Sequence, residues 1–155
     1  MSEQNKQIAR HYFEGLDAQK SPPAEWVTPD FVLHIAGTPD MDFEAARAFS
    51  VGLVTAVPNL THPIVELIAE GDKVSYRGRY EGNQSAPYLG AMGPDGVLSA
   101  TGAGVLRIAD GKVAEIWIWP DTMTVMQQLG VLPPQGRAPC PAQGPAAGCR
   151  PSPPS

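Results

Sequence analysis

Asp121 closes the apolar run Glu115-Ile116-Trp117-Ile118-Trp119-Pro120, and it is the carboxylate best placed by its neighbours to move a proton. Among two tryptophans and two isoleucines a carboxyl loses hydration, which disfavours its charged form and raises its pKa from about 3.9 toward neutrality. Still ionised near pH 7, such a base removes a proton beside a carbonyl better than a solvated aspartate. Asp121 also stands directly before Thr122-Met123-Thr124-Val125-Met126, where an aspartate can cap a helix and accept from its first N–H groups. Capping would lower the pKa instead, and spacing alone favours it.

His34 is the second titratable candidate. It shares a strand face with Val32 and Ala36, where it either reaches a cavity and a substrate oxygen or sits as a hydrogen-bonded core histidine. His11, on a polar helix face, and His62, before Pro63, read as surface residues. Tyr76 and Tyr80 alternate with Arg77 and Arg79, so the phenols and guanidiniums face opposite ways. Arg77 either pairs a carboxylate or enolate in a site or is a solvated strand residue. In Asn83-Gln84-Ser85-Ala86-Pro87-Tyr88-Leu89-Gly90-Ala91-Met92, Tyr88 and Met92 could fold over a cavity mouth, with Tyr12 on the opposite wall.

These side chains need elements to hold them. Ile8, Tyr12 and Leu16 recur at helical spacing, and Ser21-Pro22-Pro23 ends that helix. Phe31, Leu33 and Ile35 alternate as a strand, and Phe43, Ala46, Phe49 and Leu53 form one side of a second helix that Pro58 stops. Two strands joined at Gly71-Asp72 follow, then two more around Asp110-Gly111, a pair suited to a tight hairpin. A short helix from Asp121 closes on Gly130. This is an α+β order, with a long bent antiparallel sheet packed on few helices and curled into a cone with an apolar mouth. Gly102 and Gly104 share a strand face with Ala100, which means either space left for a ligand or a bulge or close helix packing.

Composition sets further bounds. The chain has 155 residues and a net charge of −5, with no Lys/Arg cluster to neutralise phosphates, so a nucleic-acid surface is not expected. No apolar run has the roughly 18 residues of a membrane span, and the N-terminus lacks a signal-peptide pattern; a cytoplasmic location is expected. Cys140 and Cys149 both fall in the Pro/Gly/Ala-rich stretch 133–155, which reads as a disordered tail after a domain over residues 1–132. No Cys/His spacing suggests a metal, and no glycine-rich phosphate loop suggests a nucleotide, so no cofactor is expected.

Several phrases, in order, carry a likeness to a known family: Ala56-Val57-Pro58-Asn59-Leu60, Glu70-Gly71-Asp72-Lys73-Val74, Arg107-Ile108-Ala109-Asp110-Gly111 and Gln127-Gln128-Leu129-Gly130-Val131. The chain resembles the SnoaL-like polyketide cyclases, a branch of the NTF2-like cone folds. In that family a Trp-x-x-x-Asp phrase supplies the acid/base carboxylate, and Trp117 with Asp121 match it; the resemblance shifts the balance for Asp121 from cap to catalyst. It implies His34 as a partner on the first strand and a binding wall from Tyr12, Tyr76, Arg77, Gln84, Tyr88, Met92, Trp117 and Trp119. Two histidines of the family pattern are missing, with Gly82-Asn83-Gln84 in place of Gly-Thr-His and Gly104 or a neighbour in place of the other. Gln84 cannot shuttle a proton at pH 7. The implied activity is a cofactor-independent cyclase or isomerase acting on a bulky polyketide-like molecule. Epoxide hydrolysis or pericyclic closure, and a non-catalytic binding module, are the alternatives. A homodimer paired through the outer face of the sheet is expected.

Overall fold

A computed structural model of the chain describes residues 2–133. The tail expected to be disordered lies outside the described residues, Pro133 apart, as do both cysteines. Helix α1, Ser2–Gln19, buries Ile8, Ala9, Tyr12 and Phe13, the face its apolar spacing marked. It gives way at Lys20, whose φ is 54°. A single turn of 3-10 helix, Ala24–Trp26, leads into β1, Val27–Ile35. β2 is two residues, Met41–Asp42, and Asp42 then caps α2, Phe43–Ala56, by accepting from the Ala45 N–H at 2.9 Å. β3, Ile64–Glu70, β4, Lys73–Asn83, β5, Val97–Ala109, and β6, Lys112–Pro120, form a meander before α3, Thr122–Gln128. Asp110 and Gly111 both take positive φ, 52° and 73°, as the tight β5–β6 turn requires.

The six strands lie in the order β2-β1-β6-β5-β4-β3. The sheet is mixed, whereas an antiparallel one was expected: β1 runs parallel to β6. The whole segment from α2 to β5 serves as the long crossover a parallel pair needs. Register shifts in β1 between Val27 and Val32, in β3 between Ile64 and Glu66, and at Arg107/Ile108 in β5 bend the strands. The sheet curls without closing, since β2 and β3 remain as edges.

Burial follows the two-residue period of the strands. Along β5, Leu98, Ala100, Gly102, Gly104, Leu106 and Ile108 are buried and the residues between them are not. One core cluster joins Tyr12 and Phe13 of α1 to Phe31, Val74, Tyr76, Leu106 and Ile116 of the sheet. Each fully buried side chain of this kind contributes about 1.5–3 kcal/mol. A smaller cluster of Ala56, Val57, Leu60 and Leu98 sits at the far end of the cone.

Candidate active site

Between the two clusters lies a cavity of about 160 Å³. Leu33 and Ile35 of β1, Phe49 and Leu53 of α2 and Ile118 of β6 give it an apolar wall. The polar residues in its lining are Tyr12, Lys20, Ser50, His62, Tyr80 and Tyr88.

The two glycines of β5 explain how tyrosines fit here. A Cβ on Gly104 would lie 2.4 Å from Tyr76 Cε1, and one on Gly102 would lie 2.2 Å from Tyr80 Cε2. The bare strand is therefore filled by phenol rings from the neighbouring strand β4, neither left open for a ligand nor packed on a helix. The rings meet hydroxyl to hydroxyl at 3.4 Å. Phe13 packs edge-on against Tyr76, with ring centroids 4.8 Å apart. Burial pushes the Tyr12, Tyr76 and Tyr80 phenols above their usual pKa, with the neighbouring phenols adding to the rise for Tyr12 and Tyr76. Their hydroxyls thus stay protonated and can donate. The Tyr12 hydroxyl has no hydrogen-bond partner among the described residues, although the residue is 3% exposed.

Beside these phenols stands an aspartate–histidine pair. Asp17, in the last turn of α1, accepts from the His62 ring Nδ1 at 2.6 Å and from the His62 backbone N–H at 3.0 Å. Burial alone would raise the Asp17 carboxyl, but these hydrogen bonds, with the nearby Lys20 charge, hold it below the usual carboxylate range. The carboxylate fixes the proton on Nδ1 and leaves Nε2 as an acceptor. Nε2 has no partner among the described residues, and the imidazole lines the cavity. The ring sits edge-on to Tyr80 at 5.3 Å. The expectation that His62 lies at the surface is therefore corrected: its side chain is 14% exposed. His11 is a surface residue, half-exposed beside Glu14.

Asp121 lies elsewhere. It is the N-cap of α3, accepting from the Thr124 hydroxyl at 2.6 Å and the Thr124 N–H at 3.1 Å. Those two bonds, the hydroxyl's first, hold its carboxyl below the usual range, which overturns the expected rise. Its neighbours Pro120 and Val125 line the cavity, whereas Trp117 and Trp119 point to the outer face of the sheet. Desolvation by the tryptophans is thereby lost.

His34 is on that outer face too. It stacks on Trp117 at 5.1 Å, and its Nδ1 lies 2.7 Å from Asp40 Oδ1. Arg77 is exposed and paired with Glu66 at 3.4 Å, and Trp119 is 54% exposed. Gln84 folds into its own loop, donating to the Ala91 carbonyl and accepting from the Gly93 N–H. Met92 is exposed. Of the expected wall, Tyr12 and Tyr88 line the cavity and Tyr76 backs it. His34, Arg77, Gln84, Met92, Trp117 and Trp119 do not line it.

Asp17, His62 and Tyr80 were missed from the sequence. One signal could have found Asp17: it follows Phe13 by four residues, one helical turn along the buried face of α1.

Comparison with known proteins agrees with this architecture. The family model for SnoaL-like polyketide cyclases matches residues 6–129. A candidate SnoaL-like polyketide cyclase from Jannaschia sp. CCS1 is 24% identical, covers 85% of this chain and 95% of its own, and superposes with a TM-score of 0.72. AclR, a candidate hydroxylase from Streptomyces galilaeus, gives 20% identity, coverage of 88% and 87% and a TM-score of 0.78. IdmH, a candidate polyketide cyclase from Streptomyces antibioticus, gives 22%, 82% and 99%, and 0.71. A Catenulispora acidiphila protein with a ketosteroid isomerase-like fold is 15% identical over 79% of this chain and 92% of its own, with a TM-score of 0.67. No curated protein matches significantly.

Proposed function

We propose that this chain, which belongs to the SnoaL-like polyketide cyclase family, is a cofactor-independent enzyme that enolises a carbonyl of an apolar, polyketide-like substrate and so permits ring closure or isomerisation. The observation that carries this reading is the 2.6 Å Asp17–His62 contact at the wall of an apolar cavity. His62 Nε2 takes a proton from the carbon beside the carbonyl. The electron pair moves onto the carbonyl oxygen, which the protonated phenols of Tyr12 and Tyr80 stabilise by donating to it. In a ring closure the enolate carbon then attacks a second carbonyl of the same molecule, a carbon–carbon bond forms, and His62 returns its proton to the new alkoxide. A placed acid/base contributes about two to four orders of magnitude in rate. The apolar wall strengthens each donor by excluding water.

A second reading keeps Asp121 as the base, favoured by the cavity-lining positions of Pro120 and Val125 on either side of it. It requires Asp121 to release both hydrogen bonds from Thr124 first.

The test needs no knowledge of the natural substrate. Exchange of the α-protons of 2-tetralone in D2O, followed by NMR, reads enolisation directly. The wild type should accelerate exchange, His62→Gln should lose at least about a hundredfold, and Asp121→Asn should stay within about threefold. Full activity in His62→Gln would remove the imidazole from the chemistry, and loss confined to Asp121→Asn would select the second reading.

A further inference from the structure

Lys20 is the sole lysine or arginine lining the cavity among the described residues. Its backbone is in the left-handed region, φ 54°, just past the end of α1, where glycine is the usual occupant. The ammonium does not serve the last carbonyls of α1. It reaches across to the Leu60 carbonyl at 2.7 Å, which uses one of its three N–H groups. No carboxylate among the described residues forms an ion pair with it within 4 Å, although its charge is felt by Asp17. Lys20 and Val54 also line a second, outer groove between the end of α1 and α2, where Arg47 is already paired with Glu44 at 3.5 Å. Lys20 therefore stands where the apolar cavity meets the surface.

From this placement we infer that the ligand of the cavity is an amphiphilic monoanion, an apolar body inside with one carboxylate held by Lys20 at the mouth. The inference deepens the enolisation reading and rests on it for the substrate's carbonyl. Two unused N–H groups on one ammonium match the two oxygens of a carboxylate. A dianionic phosphate fits less well, because no second lysine or arginine among the described residues lines the cavity to balance its second charge. Lys20 thereby acts as a specificity residue: it fixes which end of the substrate enters, and so which carbonyl is carried past Tyr12 and Tyr80.

Isothermal titration calorimetry with decanoate, methyl decanoate, decanol and decyl phosphate, all below their micellar concentrations, tests this. In the wild type decanoate should bind about tenfold more tightly than either neutral probe, the size of one charge-assisted hydrogen bond. Lys20→Gln should bring decanoate within about twofold of decanol without weakening decanol, and Lys20→Arg should keep the preference. Equal binding of decanoate and its methyl ester by the wild type would overturn the inference without reference to any variant. So would an unchanged preference in Lys20→Gln, and tighter binding of decyl phosphate would overturn the monoanion assignment. The preference is read without turnover, so its failure and the failure of the tetralone test are separate results.

Discussion

Replacing Asp17 with Asn separates a base-orienting carboxylate from a clamp between α1 and the segment before β3. Both oxygens of Asp17 accept from His62, one from the ring and one from the backbone. Asn keeps one acceptor and turns an NH2 group toward the other donor, so one charge-assisted bond is lost. Such a bond is worth about 1.5–3 kcal/mol, and with Asp17 28% exposed the lower half of that range applies. A loss of about 1.5–2 kcal/mol lowers the thermal midpoint of a domain this size by about 4–8 °C. The linkage has a definite sign. The folded Asp17 pKa is lowered, so its contribution is complete above the unfolded value of about 3.9 and fades as pH falls through the lower folded value. The difference between wild type and variant should therefore shrink in acid below about pH 4. Chemically, the Asn NH2 faces Nδ1 and drives the imidazole proton to Nε2, where the base is needed. Long-range 15N–1H spectra of the three histidines near pH 8 read this: Nδ1–H for wild-type His62, Nε2–H in the variant. Tetralone exchange should fall at least about a hundredfold with it. A wild-type His62 carrying its proton on Nε2, or a variant that loses stability but exchanges at the wild-type rate, would refute the reasoning.

Gly104→Ala should cost about 3 kcal/mol in urea unfolding, because the new Cβ meets the backbone oxygen of Trp117 at 2.3 Å as well as Tyr76; an unchanged midpoint would show that the rings do not fill that strand. Asp121→Ala removes the cap of a seven-residue helix and should lower stability by about 1 kcal/mol at pH 7, the difference fading in acid as its lowered pKa is passed. We further propose a homodimer through the outer face of the sheet, where Trp119 is 54% exposed; light scattering should give twice the monomer mass, and Trp119→Glu should halve it.

The helices and strands were legible because their periods are local. The alternation of Tyr76 and Tyr80 with Arg77 and Arg79 put phenols and guanidiniums on opposite faces, as the structure does, but did not say which face is inner, so Arg77 was expected in the site beside Tyr76. Local parity did not say which face of β6 turns inward. Ile118 lines the cavity and Trp119 does not, so the tryptophans that were to desolvate Asp121 lie across the sheet from the cavity. The Asp17–His62 pair was illegible for a different reason: 45 residues separate the partners, and only the docking of α1 beside β3 brings them together. The two glycines announced that something unusual occupied their face, yet the tyrosines filling it belong to the neighbouring strand.

The flat stretch of β5 under the two phenols limits how this protein can be adapted to other molecules. Enlarging Gly102 or Gly104 displaces the Tyr80 or Tyr76 ring, so that side of the chamber behaves as a fixed anvil. Variation in what is accommodated has more room on the helical side, through Phe49, Ser50, Leu53 and Val54, where a longer or shorter side chain reshapes the volume. Diversification by selection, natural or in the laboratory, should concentrate on α2.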